Sequence, residues 1–340
     1  MKKLGFINKI VFLFNSIVAT MLLLSYVLPF VAPKTFSILS VLSLAVPILI
    51  ILNILFVIYW LLKVKKQLLL SLVVLLIGFS YVGSLYKFSS SKDIADDNNL
   101  SIMNYNVRLF NLYEWISEKN IETSIVNLIK AEQPDVLSLQ EYHPHKNINL
   151  SNFKYKFEKL EGKKTKYGQA IFSNYPIISS GSVDFPDTAN NAIYADIVKN
   201  SDTIRIYNIH LQSSHINTNV ENLNKEESER LFKRLRTTFE MQQDQAELFI
   251  KHKNKCPYKV IVSGDFNNTA YSYVYKQIKG DFQDTFELAG NGFGRTFDFK
   301  LFPVRIDFIL ADKSFEVNSF KSYDEKLSDH YPIMAKVSLK

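Results

Sequence analysis

Three long apolar runs without a single charged residue fill most of the first 86 positions, and they constrain the chain more than any other feature. They cover about residues 10–31, 36–62 and 68–86. Each is long enough to cross a hydrocarbon core of about 30 Å at about 1.5 Å per helical residue. A cleaved signal peptide accounts only for the first run. The sequence therefore predicts three transmembrane helices and an integral membrane protein.

The lysines around these runs predict their orientation. Three precede the first run and three lie between the second and third, whereas Lys34 alone separates the first from the second. The positive-inside rule then places the N-terminus and the Lys63–Lys66 loop in the cytoplasm. Three crossings of the membrane then place the rest of the chain on its outer side. We expect a membrane anchor over residues 1–87, a polar linker over 88–99 and an extracytoplasmic domain over 100–340.

The net charge of +7 belongs to the N-terminal segment. Eight of the 40 Lys and Arg residues and none of the 33 acidic residues lie before position 91. The remaining 32 basic and 33 acidic residues balance to −1. The later domain therefore lacks the bulk positive charge of a duplex-binding domain. The single cysteine, Cys256, excludes an intrachain disulfide framework and a cysteine-based zinc site.

Beyond residue 100 the pattern is that of an α/β (α+β) domain with many short strands and few helices. This favours two packed sheets with helices outside over a doubly wound parallel sheet. Helices are predicted around 121–129 and 226–251, and loops over 142–167, 179–191, 213–225 and 289–303. Strands are predicted over 100–108, 135–141, 170–173, 192–198, 203–211, 259–263, 305–310 and 332–337.

Polar side chains lie at or near the ends of these strands. A charged residue in a buried strand is costly unless it is paired or bound to a metal ion, so their convergence indicates a metal site. The donors are carboxylate and amide oxygens without a thiolate, which favours Mg²⁺ or Mn²⁺ over Zn²⁺. The residues are Asn106, Glu141, Asn208, His210, Asp265, Asn267, Asp307, Asp329 and His330.

Seven motifs in this domain resemble the endonuclease/exonuclease/phosphatase superfamily, which includes pancreatic deoxyribonuclease, abasic-site endonucleases, inositol polyphosphate 5-phosphatases and neutral sphingomyelinases. They occur in the family's order and cover nearly all of residues 100–340. The motifs are Met103–Arg108 (MNYNVR), Asp135–Glu141 (DVLSLQE), Gly168–Ser173 (GQAIFS), Asn208–Leu211 (NIHL), Gly264–Asn267 (GDFN), Arg305–Leu310 (RIDFIL) and Ser328–Pro332 (SDHYP).

The resemblance implies a four-layer αββα sandwich of two mixed sheets and a role for each matched residue. Glu141 would be the main Mg²⁺ ligand, assisted by Asn106 and Asp329. His330 would be the general base that activates water, oriented by Asp307. The other roles implied are positioning of water or the leaving group by Asp265, donation to the phosphoryl oxygens by Asn267, transition-state stabilisation by His210, and substrate binding by Arg108 and Asn208.

The leading hypothesis is a membrane-anchored, Mg²⁺-dependent hydrolase of phosphoester bonds, in which Mn²⁺ could substitute. A phospholipid or inositol-phosphate phosphoesterase stands as an alternative to a nuclease. A non-catalytic, membrane-tethered binding module is the rival class, but such a module should have lost catalytic residues, and every matched position keeps the family's residue. The expected partners are the lipid bilayer and a phosphoester substrate, and the sequence predicts no protein partner.

Overall fold

The structure is a computed structural model that describes residues 4–88, 98–163, 165–214, 225–300 and 302–340. Most of the predicted linker over 88–99 lies outside these ranges. The N-terminal part forms a small helical bundle followed by two six-stranded sheets. Its helices are α1 (Phe6–Ser25), α2 (Pro33–Val41), α3 (Val46–Leu62), α4 (Leu68–Ile77) and α5 (Phe79–Leu85).

Two stretches of this bundle are long and apolar enough to cross a membrane. They are Phe6–Phe30 and Pro33–Leu62, and a third exists if the bent pair α4 and α5 counts as one span. Large apolar side chains such as Phe6, Leu24 and Leu62 point outward and are mostly exposed. An apolar exterior of this extent is typical of a surface that faces lipid.

A few polar side chains are buried in the otherwise apolar interior of the bundle and join its helices. Asn15 of α1 is fully buried, and its side chain accepts a hydrogen bond from the Trp60 indole of α3 at 2.8 Å. The same amide donates to the Ser71 hydroxyl of α4 at 2.5 Å. One asparagine therefore joins three helices, as side-chain hydrogen bonds commonly do between helices in lipid.

The third predicted span is bent rather than straight. The axes of α4 and α5 meet at 81°, with Gly78 at the break. A Cβ atom on Gly78 would lie 2.0 Å from the Tyr26 ring, so only glycine lets that ring pack against the turn. The Tyr26 hydroxyl also donates to the Val74 carbonyl at 2.9 Å. A tertiary contact with α1 thus breaks a run that hydropathy presents as continuous.

The later domain contacts the bundle through α2, where the helix Lys225–Lys253 packs on Val41, and through α5. Lys34 at the start of α2 pairs with Asp244, and Ser84 of α5 donates to Glu287 at 2.5 Å. At the opposite end, Tyr59 near the end of α3 donates to Asn8 near the start of α1 at 2.8 Å. The domain therefore lies at the end of the bundle remote from the N-terminus and from the Lys63–Lys66 loop.

The domain itself is a sandwich of two mixed sheets. The first sheet has six strands, in the order β13 (Phe315–Ser322), β14 (Ile333–Leu339), β2 (Leu100–Asn106), β3 (Val136–Tyr142), β5 (Tyr167–Ser173) and β4 (Tyr155–Glu161). The second has the order β10 (Gln283–Asp284), β12 (Asp307–Ala311), β9 (Lys259–Asp265), β8 (Asp202–His210), β7 (Asn191–Lys199) and β6 (Ile177–Asp184). A two-stranded pair joins β1 (Tyr86–Lys87) to β11 (Gly292–Phe293).

Helices cover the outer faces and complete the four layers. They are α6 (Ile121–Glu132), α7 (Lys225–Lys253), α8 (Tyr273–Lys279) and α9 (Thr285–Ala289). One apolar cluster lies between the sheets and includes Ile102, Ile206 and Ile309. A second packs the first sheet against α6, and a third packs the second sheet against α7 and α8. The predicted four-layer fold is confirmed.

Three of the strands longer than two residues lie where no strand was predicted. The predicted loops over 142–167 and 179–191 contain β4 and most of β6, and β13 was not predicted. β4, β6 and β13 are each the last strand of their sheet. Edge strands keep much of their surface in water, so their alternation of apolar and polar residues is weak.

The topology brings four strand ends together. β2 and β3 run parallel, and so do β8 and β9. A hydrogen bond of 3.0 Å from Asn106, the last residue of β2, to Asp265, the last residue of β9, joins the two sheets at this edge. We call it the catalytic edge. In the register of β9 with β12, Asp307 lies opposite Asp265.

Replacing Gly264 should show how tightly this edge is packed. Gly264 has φ of +151°, and a Cβ atom there would meet the backbone oxygen of Ile209 at 2.0 Å. Because backbone cannot give way like a side chain, Gly264→Ala should cost about 3 kcal/mol or more. This corresponds to a melting temperature roughly 6–12 °C lower, measured on the full chain in detergent. Gly83→Ala, which meets nothing within 4 Å, is the control; equal melting temperatures for both variants would contradict the packing described.

Candidate active site

One part of the site is an acidic group at the ends of β2 and β3. The Asn106 amide donates to Glu141 at 3.4 Å as well as to Asp265. Burial and the neighbouring charge of Asp329 raise the pKa of Glu141. Glu141 adopts φ of +49° at a register shift between β3 and β5, which marks a locally constrained backbone.

Arg108 closes this group on the solvent side. Its guanidinium lies 3.1 Å from the Asp329 carboxylate and stacks 4.5 Å over the Trp115 ring. Both charged side chains are about one third exposed. The predicted substrate residue Arg108 therefore lies at the mouth of the site, beside a predicted metal ligand.

Asp265 and Asn267 form the centre of the site. One Asp265 oxygen accepts from the Asn267 backbone N–H at 2.8 Å, and the other from the Asn267 side chain at 3.2 Å. The His210 and His330 Nε2 atoms each lie 3.7 Å from the Asp265 carboxylate. Asp265 is 1 % exposed. Its carboxylate is thus surrounded by two imidazoles and two amides.

Asp307 and His330 form a buried carboxylate–imidazole pair. Asp307 Oδ2 lies 2.9 Å from His330 Nδ1. The Asp307 backbone N–H donates to Thr296, and the His330 ring packs edge-on against Phe297 with centroids 5.0 Å apart. This geometry holds the imidazole with Nδ1 on the carboxylate and Nε2 toward Asp265.

The charges of these groups shift one another's protonation. Burial raises the pKa of Asp265 to about 7, and the Asp307 carboxylate adds to that rise. Burial opposes the charging of His330, but the carboxylates of Asp307 and Asp265 outweigh it and raise the His330 pKa to about 10. The negative charge of the carboxylates in the site is therefore larger than the positive charge that its histidines can supply.

Asn208 lies apart from the other predicted residues. Its side chain is fully buried, donates to the backbone carbonyls of Leu139 and Ala170 at 2.9 and 3.2 Å, and accepts from Gln140. These contacts use both amide hydrogens and the oxygen to join the two sheets. The structure therefore gives Asn208 a position in the seam between the sheets and not on the substrate cleft, contrary to the expected substrate contact.

Two supporting residues carried no strong sequence signal. The Ser328 hydroxyl donates to the Asn106 carbonyl at 2.9 Å and accepts from the His330 backbone at 3.3 Å, so it ties the last motif to β2. Thr296 is fully buried and accepts from the backbone N–H groups of Ile306 and Asp307, both at 3.0 Å. Ser328 lies inside a matched motif, whereas Thr296 lies outside the matched motifs, in a predicted loop.

The donor set fits a divalent cation. Asp265, Asp307 and His330 place ligand atoms within 4.8 Å of one another. Asp307 Oδ1 is buried without a hydrogen-bond partner in the described part of the chain. Carboxylate and amide oxygens dominate the site, and hard cations prefer such oxygens. The excess negative charge of the site is a feature that a nearby bound cation would offset.

Comparisons with known proteins agree with this geometry. A family model described as "Endonuclease/Exonuclease/phosphatase family" matches residues 103–330, and a model described as a domain of unknown function matches residues 8–85. A search of curated proteins found no match.

Solved structures share the fold at low sequence identity. An endonuclease/exonuclease/phosphatase from Bacteroides vulgatus is 19% identical, with 71% of this chain and 99% of that chain covered and a TM-score of 0.55. D. rerio TDP2, complexed with a single-strand DNA product, is 18% identical, with coverages of 71% and 100% and a TM-score of 0.53. The human Nocturnin catalytic domain with a bound sulfate anion is 18% identical, with coverages of 72% and 95% and a TM-score of 0.52.

The family match spans about two thirds of the chain and contains every residue of the site from Asn106 to His330. The fold of the solved structures is the same sandwich. This chain is an enzyme of the phosphoesterase and nuclease type, and it belongs to the endonuclease/exonuclease/phosphatase family.

Proposed function

We propose that the chain is a membrane-anchored, Mg²⁺-dependent phosphodiesterase whose domain lies on the outer side of the membrane. The observation that carries the reaction is the buried Asp307–His330 pair, 2.9 Å apart, beside the acidic group of Glu141 and Asp329. A base held by a carboxylate next to a hard-cation site is the arrangement that hydrolysis of a phosphoester requires.

In this proposal His330 takes a proton from the attacking water. Asp307 holds Nδ1 and stabilises the imidazolium that forms, which leaves Nε2 for the water. Asp265 positions the water or the leaving group, and His210 stabilises the transition state. Asn267 donates to Asp265 and to the Leu211 carbonyl in the structure, so it would have to exchange one of these bonds to donate to a phosphoryl oxygen. Arg108 lies at the mouth of the site, where its guanidinium can pair with a substrate phosphate.

Glu141, Asn106 and Asp329 are the residues we assign to the metal. Glu141 accepts only a long hydrogen bond from Asn106, whereas Asp307 and His330 already bind each other. A cation bound between Asp307 and His330 would break their hydrogen bond, so the acidic group at the ends of β2 and β3 is the better metal-binding site. Bound there, Mg²⁺ or Mn²⁺ offsets charge on the phosphoryl oxygens and on the carboxylates that keep His330 protonated.

The related structures are compatible with either substrate class, a nucleic acid or a smaller phosphoester. The D. rerio protein holds a single-strand DNA product and the human protein a sulfate anion, which both suit a site for phosphoryl groups. A phospholipid or inositol-phosphate phosphoesterase would use the same residues. A non-catalytic binding module is disfavoured because base, orienting carboxylate and acidic donors are all retained.

Removing single site residues should abolish turnover without unfolding the domain. We expect Glu141→Ala, Asp265→Ala and His330→Ala to lower kcat by roughly 10²–10⁴-fold, since each supplies metal, positioning or base. The assay is hydrolysis of bis(4-nitrophenyl) phosphate by the full chain in detergent, with circular dichroism as the folding check. Asp281→Ala, a fully exposed carboxylate remote in the fold, is the control. Full activity in any two of the three variants would overturn the site assignment.

Metal dependence should follow from the acidic group. EDTA is expected to remove all activity, and Mg²⁺ or Mn²⁺ to restore it. Glu141→Gln keeps the shape of the side chain but removes its negative charge. The variant should therefore need at least about tenfold more Mg²⁺ than the wild type for its half-maximal rate. Asp281→Ala should give the wild-type Mg²⁺ titration. Activity that persists in EDTA would refute the metal assignment and leave the family membership intact.

Topology can be tested by enzyme fusions. The domain contacts the end of the bundle opposite Lys63–Lys66, which supports opposite sides of the membrane for the two. Alkaline phosphatase fused after Asn99 should therefore be active, and fused after Lys66 inactive, because it folds only outside the cytoplasm. The reverse pattern would place the domain in the cytoplasm.

A further inference from the structure

The catalytic edge faces the membrane bundle. The loop that leaves β9 runs from Asn267 to Tyr271 within four residues. The Tyr271 ring stacks on Tyr81 of α5, with centroids 6.0 Å apart, and its hydroxyl donates to the Tyr81 carbonyl at 3.1 Å. A loop that carries a residue of the site is thus packed on the outer end of the bundle.

A second loop of the same edge makes the same contact. β1 directly follows α5 and pairs with β11, with Tyr86 opposite Phe293. Only three residues beyond Phe293 lies Thr296, which supports the Asp307 backbone. Pro47 and Leu85 of the bundle line one small gap together with Thr269 and Arg305 of the domain. A second loop that supports the site is therefore packed on the bundle.

The loop after β2 leaves this edge too and ends in an exposed apolar tip. Leu112, Tyr113 and Trp115 are 40 %, 60 % and 44 % exposed. The backbone from Arg108 to Asn111 has positive φ throughout, a strained conformation that is commonly stored at functional sites. Trp and Tyr are the residues enriched where a protein meets the headgroup layer. We call Leu112–Trp115 the rim segment.

The cleft beside the rim segment disfavours a polyanion. It has a volume of about 660 Å³, in the size range of small-molecule sites. Its charged lining consists of three carboxylates, Glu114, Glu118 and Glu122, and one ammonium, Lys119. Nucleic-acid sites need positive charge along the phosphate chain. This cleft lies beside the site and is not lined by the site residues themselves, so its acidic lining disfavours a phosphate chain that would extend across it from the site.

From these contacts we propose that the rim segment inserts into the surface of the bilayer and that the substrate is a phosphodiester carried by a membrane lipid. The proposal rests on the phosphodiesterase and membrane anchor proposed above. Docking of the catalytic edge against the bundle brings the rim segment to the lipid surface, and Arg108, stacked on Trp115, then lies at the depth of the headgroup phosphate.

Fluorescence can locate the rim segment directly. The chain has two tryptophans, Trp60 and Trp115. The full chain and its Trp115→Phe variant are reconstituted into phosphatidylethanolamine and phosphatidylglycerol vesicles, and the difference in emission isolates Trp115. We expect that emission to be quenched by lipids brominated near the headgroup and protected from aqueous iodide. Quenching by iodide without quenching by brominated lipid would overturn the insertion.

Activity on two substrates tests the lipid assignment. In the same vesicles, release of a water-soluble phosphate ester is followed by ³¹P NMR, and bis(4-nitrophenyl) phosphate serves as the soluble substrate. We expect Tyr113→Ser to lower lipid turnover by about tenfold, and turnover of the soluble diester by less than twofold. Ile178→Ser, at an equally exposed apolar residue near the start of β6 and remote from the site, is the matched control and should leave both rates unchanged.

The outcomes separate the two proposals. Hydrolysis of the soluble diester without lipid hydrolysis, or cleavage of single-strand DNA in its place, would overturn the lipid substrate and leave the phosphodiesterase. Equal losses on both substrates in Tyr113→Ser would overturn the role of the rim segment. Hydrolysis of neither substrate by the wild-type chain with Mg²⁺ would refute the proposed function itself.

Discussion

Burial of carboxylates at the meeting point of two sheets is the constraint on which the site depends. Asp265 and Asp307 are each 1 % exposed and lie opposite each other in neighbouring strands. Two such charges are costly in a low-dielectric interior unless protons, hydrogen bonds or cations compensate them. The molecule supplies two histidines and two amides, and the raised pKa values of Asp265 and His330 show that this compensation is incomplete. In the function proposed above, a bound divalent cation would supply the remaining positive charge.

The polar seam between the sheets keeps these groups in register. Ser263 of β9 donates to Ser138 of β3 at 2.7 Å, and Asn208 of β8 reaches the backbone of β3 and β5. A purely apolar interface would tolerate sliding of one sheet on the other, whereas buried hydrogen bonds specify one arrangement. Asn208 thus contributes to the site through the position of the strands rather than through contact with substrate.

The sequence was informative where residues act locally and uninformative where distant contacts decide. Strand alternation and the motifs located the ends of β2, β3, β8 and β9, so nearly all site residues could be named. The bend at Gly78 depends on a tyrosine 52 positions earlier, which no local pattern reveals. The edge strands β4, β6 and β13 lack a clear apolar face. Thr296 acts through its hydroxyl on the backbone, and threonine does so at many positions without function.

The anchor and the site share one rigid element, and this bears on why the domain sits where it does. Helix α7 packs Leu235 and Phe239 against Val41 of the bundle. Further along α7, Gln242 donates to the Asn267 carbonyl at 3.2 Å and to the Gln212 carbonyl at 2.8 Å. Seven residues later, Phe249 of the same helix is buried against the second sheet. A continuous helix transmits position over its whole length because its backbone hydrogen bonds are all internal. The loop that carries Asn267 is therefore held by α7 on one side and by the Tyr271–Tyr81 stack on the other, and both supports lead to the bundle. A domain that only needed tethering could hang on a flexible linker. Docking through α7 and through the loop after β9 instead fixes the distance of the site from the end of the bundle, which is what the proposed membrane-lipid substrate requires.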